Sequence, residues 1–447
     1  MGNFKAGFAR LDITAPIGTP LVGYYRLRTS IGILDPLLAT AVAVSDGENT
    51  AVMMSLDVIG IDQVTIDRIR YGVEEKWGVP HEAVFVACTH THLGYGVCTG
   101  DVRKDNPEDL ANVDMITSKA IGVAKMAIDD MKDAEMYVGA AETPVDISFV
   151  RRFRMKDGSC ATNPGWLNPN IDHPLGEPDK RVALTYFKRE GAPEIAIINF
   201  QVHPDVISGC LMSADYPYFV RKTYETVIPN SLCMYINGAQ GDTNHINVKT
   251  PEDQLRRGYA MAEHMGRTIA GTALALYAMA EKVEACPVAA KEINIEVPFN
   301  KAETPEELEQ AKYINMLYEN KRENEIPIPE GHGAMSRTTI IAGARRAVKL
   351  ENEPALKTLR VTGVRMGEFA LVGFPGEPFT EIGRQVKAAS DYKMTYIACC
   401  ANGYEGYYPS ASAMEEGGYE AATARYKKGT AEKLIETGIQ VLEEMKK

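Results

Sequence analysis

Apolar positions along the chain fall into short runs that end in polar, glycine-rich loops. Residues 39–45 and 50–55 are two such runs around Asp46-Gly47-Glu48-Asn49, a pattern that predicts a β-hairpin. The period then changes: Ile66, Ile69, Val73 and Trp77 recur at helical spacing within 62–77. Residues 83–87 read as a short buried strand, 107–131 as a long helix and 134–141 as a strand. A second hairpin is expected at 182–187 and 194–200 about Gly191, then a helix at 216–227 and a strand at 232–236. Residues 251–280 read as a helix, with Asp253 paired to Arg256 and Arg257 on its exposed face. Residues 289–299 alternate like a strand, and 304–322 begin with Thr-Pro-Glu-Glu, a helix N-terminus. A third hairpin is predicted at 359–365 and 369–374 about Gly367. A helix at 377–389, a strand at 394–399 and a closing helix at 421–445 follow.

Strands and helices alternate throughout, and the hairpins require antiparallel pairs. The pattern therefore predicts an α/β fold with mixed β-sheets flanked by helices. No linker or internal repeat divides residues 1–447, which read as one large domain. Residues 300–350 are more polar and helical, and read as an insertion or lid, or as a peripheral helix pair.

The chain has 447 residues, 45% hydrophobic and 24% charged, enough for a large buried core and too balanced for disorder. Against 48 basic residues stand 60 acidic ones, a net charge of −12, which disfavours nucleic acid or an anionic membrane surface as partner. Arg151, Arg152 and Arg154 form the densest basic cluster, readable as an anion contact or as a solvated strand edge. No apolar run reaches the ~18–20 residues of a membrane span. The first ten residues lack the apolar stretch of a secretory signal. Eight cysteines are scattered without a CxxC pair and read as free thiols in a reducing, cytoplasmic compartment. A homo-oligomer through 300–350 and the C-terminal helix is possible on this pattern.

The eight histidines are more informative. Five strand-like runs end in loops that carry chemistry: Thr89-His90-Thr91-His92, Gln201-Val202-His203, Asn237 to His245, Pro375-Gly376-Glu377 and Asn402 to Pro409. In α/β folds such loops assemble one site beyond the strand ends. Histidine and carboxylate together suit zinc. In an extended segment His90 and His92 would face one pocket, one as ligand and the other as hydrogen-bonder or proton shuttle. Asp242 reads as an acceptor orienting a histidine, or as a helix cap.

These motifs also carry a resemblance. Gly7 to Gly18, Thr89-His90-Thr91-His92, Arg151-Arg152, Asn163-Pro164-Gly165, His203-Pro204, Ala214-Asp215-Tyr216-Pro217, Asn237 to Asp242, Phe374 to Phe379, and Gly406-Tyr407 with Tyr419-Glu420 resemble, in order, the catalytic domain of the neutral, non-lysosomal ceramidases. The resemblance implies one zinc ion held by His90, His203, Glu377 and Tyr407. It places His92, Arg151 and Tyr419 at the reacting group, as proton carrier and hydrogen-bond donors. The serine of the family's catalytic loop is replaced by Asn244, and the neighbouring His245 is a candidate base. The expected activity is zinc-dependent hydrolysis of an amide in a small soluble substrate by metal-activated water. An ester or lactone substrate, and lyase or isomerase chemistry on a sugar-like or hydroxy-acid substrate, are the alternatives. A non-catalytic, metal-stabilised binding protein is a further one.

Overall fold

The computed structural model describes residues 4–97, 107–329, 331, 333 and 335–447; Cys98 and His332 lie outside them. Its elements fall into three units of the same plan. The first is β1 (Lys5–Asp12), the hairpin β2 (Leu38–Ser45) and β3 (Thr50–Leu56), helix α1 (Gln63–Trp77), strand β4 (Val84–Cys88) and helix α2 (Pro107–Asp129). The second is β5 (Lys132–Glu142), β6 (Arg181–Arg189), β7 (Glu194–Phe200), α3 (Tyr216–Val227), β8 (Ser231–Asn237) and α4 (Tyr259–Tyr277). A short strand, β9 (Glu281–Val283), follows on the edge of β5. The third unit is β10 (Val288–Pro298), the helix pair α5 (Pro305–Glu319) and α6 (Met335–Leu350), β11 (Leu356–Met366), β12 (Phe369–Gly373), α7 (Thr380–Ala388) and β13 (Met394–Ala398). Two short helices, α8 (Ala411–Glu416) and α9 (Tyr419–Thr423), precede α10 (Thr430–Glu444).

In each unit the first three strands pair antiparallel and the fourth joins the third in parallel, after a crossover helix. The sequence shows no repeat, yet the topology repeats three times. Lys5 and Ala6 pair with Asp133 and Lys132, which merges the first two units into one nine-stranded mixed sheet; the third keeps its own four strands. β4 and β12 are buried at every residue, which explains their unbroken apolar runs.

The fourth strands are laced into a ring. Asn237 Nδ2 donates to Thr89 O (3.1 Å), Cys399 N–H to Asn237 O (3.0 Å) and Asn402 N–H to Val86 O (2.8 Å). The largest core cluster crosses this ring, with Val86, Ile236 and Ala398 all included. A second cluster lies under the third unit's sheet, where Leu434 and Val441 of α10 meet Phe374 and Val386. No helix among the described residues is long and apolar enough to cross a membrane.

Four expectations need correction. The helix expected from 251 starts at Tyr259; before it the chain turns, and Arg256 reaches back to the carbonyls of Thr250 and Pro251. The closing helix is two, α9 and α10, because Arg425 and Tyr426 are drawn to Glu405 and Gly429 enters α10 with φ 94°. Helix α7 starts at Thr380, because the proline at 378 biases Glu377 to extended backbone; Glu377–Pro378 pairs in parallel with Tyr407–Tyr408. Trp77 is 38% exposed at the end of α1, beside Lys125, rather than buried with Ile66, Ile69 and Val73. Residues 300–350 form a helix pair packed through Ala311, Leu317, Ile341 and Ala344.

Candidate metal centre

Each unit delivers its functional side chains on the loops after its third and fourth strands. The first supplies His90 and His92, the second His203, and the third Glu377, Tyr404 and Tyr407. His90 does not continue β4. It takes a left-handed backbone (φ 72°), held by its N–H on Val58 O (3.0 Å) and its Nδ1 on Ile59 O (2.6 Å). The strand alternation expected for Thr-His-Thr-His is therefore absent. The two rings still meet edge to face at 5.1 Å, and His203 lies 5.1 Å from His90.

The ligand atoms of His90, His92 and His203 all lie within 4.8 Å of one another, and all three residues are buried. His203 Nδ1 faces the carbonyls of Gln240 and Thr243, both at 3.0 Å. Backbone acceptors thus hold Nδ1 of His90 and His203 and turn each Nε2 inward. Glu377 Oε2 sits 3.3 Å from His90 Nε2 and 3.0 Å from His203 Nε2. Its Oε1 accepts from the Tyr404 hydroxyl (2.8 Å), and Tyr407 Oη lies 3.4 Å from His203 Nε2.

This set fits a metal ion. Both His92 ring nitrogens are buried without a hydrogen-bond partner, an arrangement that costs ~1–3 kcal/mol per group unless something binds there. Ligands ~2.0–2.1 Å from a tetrahedral ion are themselves ~3.3 Å apart, close to the Glu377–histidine spacings.

The electrostatics favour neutral imidazoles at His203 and His92 and a protonated one at His90. Burial, with Arg151 nearby, pulls His203 down to about 3, and burial beside His90 holds His92 well below the usual value. Burial alone would lower His90, but Glu377 outweighs it and raises the ring. Burial alone would raise Glu377; His90 and His203 reverse that and keep the carboxyl well below its usual range.

Arg151 and Arg152 are buried, so the solvated-edge reading of the basic cluster does not hold for them. Arg151 Nε donates to Glu420 Oε1 (2.6 Å), its Nη2 to Gly241 O (2.9 Å), and its Nη1 faces His203 Nε2 at 3.4 Å. Burial opposes its charge, but Tyr407 and Glu420 more than compensate, so it stays a cation. Tyr419, in α9, places its hydroxyl 3.3 Å from that of Tyr25 and its ring 5.8 Å from Tyr407. His245 is not in the histidine group. It lines a separate cavity of about 310 Å³ with Trp166 and His264, and burial lowers it to about 4. Asn244 is committed to loop structure: its Nδ2 donates to Asn163 Oδ1 and its Oδ1 accepts from Ile246 N–H. Asp242 orients no histidine and caps α7 rather than the helix that follows it in the chain, accepting from Thr380 N–H and Oγ1, both at 2.8 Å.

Sequence reasoning missed Tyr404 and Gln240, the hydroxyl and amide on Glu377. Tyr404 stands three residues before Tyr407 in a loop already singled out, and the nearness of the two tyrosines was the available signal. It also missed Asp205, whose Oδ1 lies 3.9 Å from His92 Nδ1 and accepts from Tyr24. A cavity of about 430 Å³ adjoins the centre through Ile59 and Tyr404, which contact His90 and Glu377, and is also lined by Tyr419.

Fold and site together define a mixed α/β protein with a buried histidine–carboxylate centre beside a ligand-sized cavity. No protein-family model matches the chain, and no curated protein sequence does. Solved structures do. Neutral ceramidase from Pseudomonas aeruginosa is 16% identical, with 99% of this chain and 74% of that one covered and a TM-score of 0.72. A ceramidase complexed with C2 is also 16% identical, with 99% and 75% covered and a TM-score of 0.72. The likeness establishes a ceramidase-like fold.

Proposed function

We propose that this protein is a zinc-dependent hydrolase that cleaves an amide of a small soluble substrate, with water as nucleophile. The observation that carries the reading is the buried group His90, His92 and His203, with Glu377 against two of its rings and joined through Tyr404 to the lining of the 430 Å³ cavity. His90, His203, Glu377 and Tyr407 would hold the ion, and zinc, when bound, supplies Lewis acidity and makes water nucleophilic near neutral pH.

The chain's own residues supply the rest. Tyr404 fixes one oxygen of Glu377 and leaves the other facing the histidines. His92, with two unpartnered ring nitrogens, carries a proton between the reacting group and the leaving amine. Arg151, a permanent cation, and Tyr419 donate toward negative charge developing on the carbonyl oxygen. Asn244 offers no nucleophile, which favours water. The seven described cysteines are all free, four of them buried, which supports a reducing compartment.

Two measurements test the proposal. The purified protein is expected to carry one zinc per chain, and His90→Ala and Glu377→Ala to lose the metal and at least ~100-fold in kcat/KM. Unchanged turnover in either variant refutes the assignment. Hydrolysis also puts heavy oxygen from labelled water into the acid product; isomerisation does not.

A further inference from the structure

The outer wall of the 430 Å³ cavity carries one feature that hydrolysis does not require. Arg345 of α6 lines the same cavity as Ile59, Tyr404 and Tyr419, but is contributed by the helix pair inserted between the first two strands of the third unit. Its guanidinium lies 5.1 Å from the ring centre of Tyr318 and 5.9 Å from that of Tyr25. The Tyr318 hydroxyl donates to the backbone oxygen of Tyr25 (2.6 Å), which locks the two rings together. Arg345 itself is exposed and makes no hydrogen bond or ion pair with any described residue. Nearby arginines on the same helix behave differently: Arg337 donates to Asn324 and Arg346 to the carbonyl of Asn300. The acid on the cavity wall, Asp109, is 6% exposed in the first turn of α2.

A guanidinium resting on aromatic faces keeps its edge N–H groups free, in a fixed fork that matches a carboxylate. Tyr25 links Arg345 to the metal centre: its hydroxyl lies 3.3 Å from that of Tyr419, and its ring lies 5.9 Å from the Arg345 guanidinium. The same cavity also presents the apolar side chains of Leu21, Val22 and Ile59. We propose that the substrate is an amide bearing a carboxylate several bonds from the scissile carbonyl, and that Arg345 binds that carboxylate. The inference rests on the amide-hydrolase reading for the scissile group only; the anion subsite stands on its own geometry.

The test uses N-acetyl-4-aminobutanoate and N-acetyl-6-aminohexanoate against N-acetylalkylamines of matched length. Binding is read by calorimetry on the zinc-loaded protein, and cleavage by release of the amine. The carboxylate-bearing probe is expected to bind at least ~10-fold more tightly than its neutral partner. Arg345→Gln should bring that ratio to about one, and Arg345→Glu should turn the preference toward an ammonium-bearing analogue. Thermal melts check that both variants are folded. A wild-type protein without the preference, or one whose preference survives in Arg345→Gln, overturns the inference. Carboxylate preference in binding without cleavage of any probe would refute the hydrolase reading and leave the subsite; cleavage without preference would do the reverse.

Discussion

Glu377 is gripped from both sides. Its carboxylate is tied by Tyr404, and its backbone carbonyl is pressed by Gly241, where an added Cβ would lie 2.5 Å from Glu377 O. Two outcomes follow from this grip. Tyr404→Phe keeps the ring and removes the donor to Oε1, so metal affinity should fall ~10–100-fold with the melting temperature of the metal-free protein little changed; competition with a chelating dye measures it. Gly241→Ala forces the backbone of two loops apart and should cost ~1–3 kcal/mol by urea denaturation, with metal affinity reduced as well. At this scale the sequence was legible where residue type announces chemistry. His90, His203 and Glu377 stand beyond strand ends, and histidine or carboxylate there invites a metal. Tyr404 was not legible, because a tyrosine packed in a core and one holding a carboxylate have the same local sequence. Nor was the φ of His90, which tertiary hydrogen bonds impose.

Elements are fastened to one another by buried charge. Asp57, just beyond β3, takes both Nη groups of Arg221 on α3, at 3.0 and 2.7 Å, and joins the first unit to the second. Arg221→Met would leave Asp57 buried and unpaired, an expected cost of ~3–5 kcal/mol by urea denaturation. Asp179, ahead of β6, meets Arg181 and Lys387 of α7, and so joins the second unit to the third. Burial alone would raise Asp179, but Lys387 and Arg181 hold it down to about 2. Its folded value is thus below its unfolded one, so the carboxylate stabilises the fold above about pH 4 and loses that effect as pH falls toward 2. Lys387 is itself pulled below its usual value by burial, more than Asp179 restores, and this trims the net gain. Thermal melts of Asp179→Asn should show a deficit at pH 7 that narrows steadily between about pH 4 and pH 3. Hairpins and most helices were readable because period and turn chemistry are local. The errors fell at helix ends, at 251–258, 377–379 and 424–429, where Arg256, Pro378 and the pull of Glu405 on Arg425 and Tyr426 decide the boundary.

Across the molecule, the three units close into a ring only when all are present, and the site sits on that ring. The hydrophobic pattern implied an α/β fold with mixed sheets. It did not disclose the threefold plan, because topology repeats here while side chains do not. A metal that bridges the three units binds the folded chain alone and stabilises it, by ~4 kcal/mol when present at a thousand times its dissociation constant. Dialysis against a chelator is therefore expected to lower the melting midpoint by several degrees in the wild type and to leave His203→Ala unmoved. The same spacing along the chain orders events during synthesis. All three histidines emerge from the ribosome with the first two units, while Glu377 and the loop with Tyr404 and Tyr407 come only with the third. The nascent chain thus carries bare imidazoles without their carboxylate, and the finished centre dates from the moment the last parallel strand docks and completes the ring.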